Sequence, residues 1–440
     1  MTNKIIRGSG GGRPKPPRKP TRAPDTLNSR QFASIQDLLS EGEIEGFATP
    51  SKAGITNKTS DAYENAALKD IFLNDTPILN STASNTNPKT SDFNFQSVKF
   101  AFKEGTGNQT HMRGIQQSQS LLAGFTPIVC SKDGGGVSRA LPTGKDAVKV
   151  TVTFPQIQKI TDKGDILGST VKLKISLRID NGSFSEKITD KITGRTADSY
   201  SKEYRINLPD TYTSADVKVE RTTNDRTPGG KIIDEFEVSS IQLLIDDRQR
   251  YLNSAYTNLR LDSEQFSSIP TRAFRIRGVK VKIPGTGSGG GSVASRTPTV
   301  DIQTGRIKYP ANYIFNGTMG AAVWCSCPAM ILLDLLTTER YGFGTHISES
   351  SLDLFSFVAA SRYANEQVDD LRGGLEARFS CNVNIQGTAE AYTLINELAG
   401  VMRAFPIWET GSITLSQDRP TDPSYLFSLA NVGEGGFSYS

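Results

Sequence analysis

The sequence predicts an α+β, β-rich multidomain fold, and three observations carry that prediction. With 440 residues the chain is far longer than one hydrophobic core usually supports, which points to roughly two to four domains. Apolar and polar residues alternate strictly through the middle of the chain, the period of strands with one wet face. Helical spacing of apolar residues is confined to the last third.

Residues 1–25 form a basic leader. Lys4, Arg7, Arg13, Lys15, Arg18, Lys19 and Arg22 lie in it; setting these seven aside leaves 43 of the 50 basic residues against 46 acidic ones, so the positive charge is a tail on a slightly negative body. Its Gly, Pro and like charges cannot bury enough apolar surface to offset ordering, and the leader is expected to stay flexible.

Residues 141–254 read as an antiparallel β-sandwich. Val148, Val150, Val152 and Phe154 alternate with Lys149, Thr151 and Thr153; Val171, Leu173, Ile175, Leu177 and Ile179 alternate with Lys172, Lys174, Ser176 and Arg178. The second run ends at Asp180-Asn181-Gly182, where Asn-Gly supplies the positive φ of a tight hairpin. Similar pieces recur near Tyr204 and Val217, and a module of this kind most often binds or spaces. The run PGTGSGGGSVASRTP from Pro284 lacks the ending of a phosphate-binding loop and opens no helix, so it reads as a mobile loop.

In the last third, Pro328 suits the first turn of a helix over CPAMILLDLLTTERYG and Gly342 its C′ position. Leu352, Phe355, Val358, Ala359 and Tyr363 recur at helical spacing behind Ser350 as N-cap; Tyr392, Ile395, Ala399 and Met402 do so behind Thr388. FPIWETGSITL reads as a hairpin turning at Gly411, and helices laid on such strands make residues 321–440 an α+β domain.

Composition argues against several kinds of chemistry. The chain has only 2 histidines, the side chain that most often moves protons near neutral pH. No run of about 18 apolar residues occurs, and the first residues carry no apolar signal core, so neither a membrane span nor secretion is expected. Cys130, Cys325, Cys327 and Cys381 have the spacing of neither a disulfide framework nor a zinc site and are expected as reduced, buried thiols. Gly-x-Ser-x-Gly and His-Glu-x-x-His signatures are absent. One stretch keeps a chemical question open. In SEGEIEG, residues 40–46, Glu41 and Glu43 on an extended chain would stand about 7 Å apart on one face, a permissive separation for a hydrolytic acid pair. Gly42 and Gly46 argue instead for a shaped turn.

Eight stretches, taken in order, resemble one family: SEGEIEG (40–46), FLNDTPIL (72–79), DSEQF (262–266), RIRGVKVKIP (275–284), ERYGFG (339–344), FSCNVNI (379–385), NELAGVMRAFPIW (396–408) and SQDRPTD (416–422). Together they are similar to the tail tip attachment protein J (host specificity protein) family of lambda-like long-tailed bacteriophages. The resemblance implies a structural virion protein, made in the host cytoplasm, and no enzyme. It implies a homotrimeric hub at the distal tip of the tail that closes the tube, anchors the central fibre and tape measure protein, meets distal tail and other tail tip proteins, and takes part in host attachment and opening of the DNA exit channel. Residues 26–140 and 255–320 would form one discontinuous hub domain split by the sandwich, and 321–440 a second, incomplete one. Contact with a host outer-membrane receptor would come from parts beyond Ser440.

Glu41, Gly42, Glu45, Gly46, Asp262, Glu264, Arg340, Tyr341, Gly342, Gly344, Asp418, Arg419 and Pro420 are the structural landmarks this resemblance implies, with the glutamates of the acidic turn pairing with neighbouring subunits. Arg13, Lys15, Arg18, Lys19 and Arg22 would face the lumen and meet the tape measure or passing DNA. No cofactor, metal or catalytic residue is expected. The alternative from another class is a carbohydrate-binding adhesin or cell-wall glycoside hydrolase built on the sandwich.

Overall fold

A computed structural model of the chain describes residues 18–27, 32–227, 229–262, 265–266, 268–387, 390–409, 411–420, 426, 428 and 430–433. The protein is β-rich, with 38% strand, 13% helix and many small antiparallel sheets.

Two antiparallel sheets enclose the largest apolar core. One orders strands Ser185–Gly194, Ser169–Ile179, Ala215–Arg221 and Val137–Leu141; the other orders Tyr200–Asn207, Ala147–Phe154, Glu237–Asp246 and Gln116–Leu121. Val148, Val150, Val152 and Phe154 from one sheet meet Val171, Leu173, Ile175 and Leu177 from the other. The alternation read from the sequence is thus the alternation of core and solvent, except at Ser176, which is buried where the register against Ser185–Gly194 shifts. The strands begin at Gln116, well before residue 141. Gln116–Leu121 is exposed along its whole length, so it carries no period-two signal.

The hairpin at Asp180-Asn181-Gly182 forms, but the positive φ falls on Asp180 (50°) and Asn181 (57°), not on Gly182. Gly182 closes the turn by donating its N–H to the Ile179 carbonyl at 2.9 Å. The Asp180 carboxylate accepts from the Thr213 N–H, the Thr213 hydroxyl and the Ser214 N–H, which ties the left-handed turn to the next loop.

A second core lies under the sheet formed by Phe32–Glu41, Ser254–Asp262 and Lys99–Glu104. Its register runs from Phe32 opposite Asp262 to Glu41 opposite Ser254, and Ala255 lies opposite Glu104. The chain therefore leaves this sheet at Glu104 and returns to the neighbouring strand at Ser254. Exit and return lie side by side, the geometry that accommodates an inserted domain. Two helices pack here, α1 (Ala48–Lys52) and α2 (Asp61–Leu68), although helices were expected only in the last third. Ser60 caps α2 by accepting the Tyr63 N–H at 3.2 Å, so a local start signal was present.

The third core is built around α3 (Pro328–Thr337), buried on nearly every side, with α4 (Leu354–Ala364), α5 (Ala391–Gly400) and the hairpin Ala404–Glu409/Ser412–Gln417. Pro328 opens α3 as expected. The helix ends before Gly342, because the following turn folds its own amides back over the helix end: Phe343 N–H donates to Leu335 O (2.8 Å) and Gly344 N–H to Thr338 O (3.1 Å). The N-cap of α4 is Asp353, which accepts the Phe355 N–H, and not Ser350. Its buried face is Phe357, Val358, Ala360, Ser361 and Ala364, so Val358 is in the core as expected while Phe355 turns outward; Ser361 faces inward to meet Cys327 and Tyr309. In α5, Ala399 and the following Met402 are buried but Tyr392 is exposed. Thr388 lies outside the described residues. Gly411, with φ 84°, turns the final hairpin.

Two further expectations change. Residues of the glycine-rich run are held by hydrogen bonds, Gly287 N–H to Arg296 O (2.9 Å) and Ser288 N–H to Ile314 O (3.0 Å). Leader residues 18–25, with Thr26 and Leu27 after them, lie along the sandwich, where Arg22 bridges Ile166. The four cysteines are free and buried. No helix among the described residues is long and apolar enough to cross a membrane.

Candidate functional site: the acidic turn and the glycine turn after α3

The strand Phe32–Glu41 ends at the acidic turn, and Ile44–Phe47 starts a new strand against Ile276–Val279. Gly42 makes the corner with φ 91°. Its N–H donates to Asn253 O at 2.7 Å, and a Cβ there would stand 2.9 Å from the Tyr341 ring. At Gly105, with φ 89°, a Cβ would meet Gly42 O at 2.5 Å. The acidic turn and the points where the insert leaves and returns are therefore packed backbone to backbone at Gly105, and the Tyr341 ring closes over Gly42, approaches that a Cβ would obstruct.

The acids complete this knot. Arg340 donates from Nε to Glu41 Oε2 at 2.6 Å and from Nη2 to Ser254 Oγ at 2.9 Å, while Ser254 Oγ donates to Glu41 Oε2 at 3.2 Å. Lys280 lies 2.6 Å from Glu43 and 4.0 Å from Glu45. Burial alone would lower the Lys280 pKa, but the bond to Glu43 and the charges of Glu43 and Glu45 raise it. Lys58 donates to Glu45 O at 2.8 Å and pairs with Glu104. Tyr341 donates its hydroxyl to Asp334 Oδ2 on α3 at 2.6 Å. Burial lifts the Asp334 carboxyl above the usual carboxylate range despite that bond, and burial with Asp334 lifts the Tyr341 phenol.

Glu41 and Glu43 thus hold two different cations from two different segments, which is the geometry of a clamp rather than of two carboxyls facing each other across a cleft. Within the single chain their partners are Arg340 and Lys280. Glu41→Gln and Glu43→Gln are each expected to cost no more than about 1 kcal/mol in a urea melt, because side chains about two-fifths exposed pair in screened surroundings.

Gly342 and Gly344 lie against the end of α3, where a Cβ would meet Leu335 O at 2.1 Å and Thr337 O at 2.2 Å. At Gly46 (φ 124°) a Cβ would meet the Tyr63 hydroxyl at 2.5 Å. The other landmarks lie elsewhere. Asp262 is buried at the end of its strand opposite Phe32. Asp418 donates its N–H to Arg403 O at 2.9 Å, Arg419 lies over the Tyr363 ring at 5.7 Å, and Pro420 is exposed. Glu264 lies outside the described residues. Of the basic residues, Arg18 sits 3.0 Å from Asp165 and Lys19 and Arg22 are exposed; Arg13 and Lys15 lie outside the described residues. Sequence reasoning missed Ser254, Lys280 and Asp334 as partners, since nothing local marks them.

The α+β part also carries an apolar surface. Phe405 and Ile407, two residues apart on one strand, are both exposed, as are Trp408, Tyr392, Val383 and Ile385.

Residues 130–247 match the family model of the FNIII-A domain of tip attachment protein J. Over 448 residues, tip attachment protein J of Escherichia phage SECphi27 is 28% identical, an alignment covering 100% of this chain and 33% of that protein. The chain is similar to tip attachment protein J along its whole length. The protein of that name from Escherichia phage SECphi4 is 27% identical over 442 residues, covering 98% of this chain and 34% of its own length. The chain spans about a third of the length of these tip attachment proteins. Among solved structures, a carbohydrate-binding module from glycoside hydrolase family 9 (Cel9A) of Ruminococcus flavefaciens FD-1 aligns with 32% of this chain and 98% of its own at 13% identity, with a TM-score of 0.17. So low a score carries no argument about fold or ligand.

Proposed function

We propose that the chain is a structural component of a phage tail tip, the hub-forming part of a tip attachment protein J. In this reading three copies close into a ring at the distal end of the tail, cap the tube, anchor the tape measure and central fibre, and open to release DNA when the tip meets its host receptor. The observation that carries the reading is similarity to tip attachment protein J over 98–100% of the chain. The acidic turn supports it as an architectural landmark, because its acids are spent on intrachain cations. The exposed Phe405 and Ile407 support an assembly role, since clustered apolar side chains at a surface mark contact with other chains.

A ring of identical copies uses heterologous contacts that close by rotation. Native mass measurement and electron micrographs of tail tips are expected to show three copies about one axis; a monodisperse monomer at micromolar concentration, with no ring at the tips, would overturn the reading. Phe405→Ser with Ile407→Ser is expected to leave the melting temperature nearly unchanged and weaken assembly about 30-fold, as when apolar anchors leave an interface. Residues 1–17, with Arg13 and Lys15, are assigned contact with the tape measure or passing DNA; deleting them is expected to lower the number of infectious tails.

A further inference from the structure

We propose that the far end of the inserted sandwich is a peptide-binding groove whose ligand is residues 20–27 of this same chain, and that this docking clasps the insert back against the sheet from which it emerges. Ile166 is the central rung: its N–H donates to Thr21 O and its carbonyl accepts the Ala23 N–H, each at 2.9 Å. The Thr21 N–H and hydroxyl both reach Asp165 Oδ1 at 2.8 Å. Farther along, the Arg195 N–H donates to Thr26 Oγ1 at 3.1 Å and its carbonyl accepts the Thr26 N–H at 2.9 Å. The Arg195 guanidinium donates to Ala23 O at 2.8 Å and pairs with Asp25.

Arg195 is 2% exposed, and its Nε and Nη2 are buried without a partner among the described residues, so the stability of this charge depends on Ala23 and Asp25. Leu27 packs on the sandwich core. Two glycines make room for the segment: a Cβ at Gly194 would stand 2.6 Å from Thr26 Oγ1 and 2.8 Å from Leu27 Cγ, and one at Gly164 would stand 3.2 Å from Pro20.

The groove lies at the end of the sandwich remote from its links. The linked end is marked by the Asp246 N–H donating to Asp146 Oδ2 at 2.8 Å. The other end is marked by Tyr200 opposite Phe154 and by the bridge of Ile157 with Thr196, beside Gly194 and Arg195. Strand Ala147–Phe154 spans about 24 Å between the two ends. Yet Leu27 is five residues from Phe32, a reach of at most about 18 Å. Phe32 pairs with Asp262, at the opposite end of its sheet from Glu104 and Ser254, where the insert leaves and returns. The insert therefore lies back along the sheet, joined covalently at one end and by the clasp at the other. Arg260, near the Phe32 end, lies 4.1 Å over the Phe32 ring and has Glu203 and Arg205 of the sandwich among its charged neighbours.

The test uses the full 440-residue chain with Thr21→Val, Asp25→Ala and Thr26→Ala together, which alters the segment and leaves the sandwich intact. Hydrogen exchange at Ile166, at Arg195 and in the links 105–115 and 247–253 is expected to rise at least about 10-fold while the sandwich strands stay protected, the signature of local opening. A synthetic peptide of residues 18–27, added to a chain lacking residues 1–27, is expected to restore slow exchange at Ile166 and Arg195. Wild-type exchange rates in the triple variant, or no effect of the added peptide, would overturn the proposal.

Discussion

Replacing Asp234 with alanine is expected to cost about 3–5 kcal/mol, because it strips a buried ion network of its fully buried acid and leaves Arg221 and Arg226 facing one another, with only the more exposed Asp225 still beside Arg221. Asp234 is fully buried and Arg221 is 2% exposed. Arg221 donates to Asp234 Oδ1 at 2.6 Å and to its carbonyl at 2.7 Å, Arg226 reaches Oδ2 at 3.0 Å, and Ser169 donates to Oδ2 at 2.9 Å. Arg221 cannot rotate into water without leaving the core, so the loss falls on the folded state. Set against the roughly 5–15 kcal/mol that holds a typical domain together, the change should appear as a large fall in the denaturant midpoint of the sandwich. The acid limb follows from the same group. Burial opposes ionisation of Asp234, but hydrogen bonds from Arg226, Arg221 and Ser169 outweigh it and hold the carboxyl below its ordinary value of 3.8. A depressed folded pKa means that the carboxylate stabilises the fold fully above about pH 4 and that this contribution disappears as pH falls through the lower folded value. Wild type is therefore expected to lose stability on acidification below pH 4 more steeply than Asp234→Ala; parallel curves would refute the assignment.

Phe47→Ala is expected to be comparably severe, about 3–5 kcal/mol, the range for deleting a fully buried aromatic ring. Phe47 follows the acidic turn directly and has no exposed surface. Its ring centroid lies 5.2 Å from those of Phe100 and Phe102, edge-on to both, and it shares the second core with Tyr63, Leu68 and Ile71. The truncation would open a cavity where the turn joins the second core, and edge-to-face pairs add to the loss. The contrast with Glu41→Gln and Glu43→Gln is the informative part. If the stretch were an acid pair, the glutamates would carry its effect in an activity assay; as architecture, its weight lies in Phe47 and the two glycines. Calorimetry on the three variants separates the readings, and a Phe47→Ala variant as stable as Glu41→Gln would contradict the architectural one.

Much of the fold was legible because local rules wrote it. Val148 to Phe154 and Val171 to Ile179 show which side chains face inward, since a strand places successive residues on opposite faces and only one face of each sheet meets the core. Pro328 marked the start of α3 for an equally local reason. Legibility failed where a partner overrode the local signal. Phe355 looked like a core residue of α4, yet Ser361 had to reach Cys327 and Tyr309, which turned the helix and left Phe355 outside. The edge strand Gln116–Leu121 is polar up to its final, exposed leucine, because an edge exposed on both faces needs no apolar alternation. Residues up to 25 read as leader by composition, although hydrogen bonds to Ile166, Asp165 and Arg195 hold Thr21, Ala23 and the following Thr26.

The amino-acid sequence on its own determined the β-rich class, the sandwich at the centre of the chain, the late helices and the glycines at which the backbone must turn, since each follows from periodicity or backbone sterics within a few residues. Tertiary structure alone decided that Glu41 meets Arg340 across 299 positions of chain, that Tyr341 closes onto Gly42, and that Thr21, Ala23 and Thr26 are bound by Ile166 and Arg195. Contacts between distant segments are set by how whole elements pack and where chain ends can reach, and no local pattern encodes that.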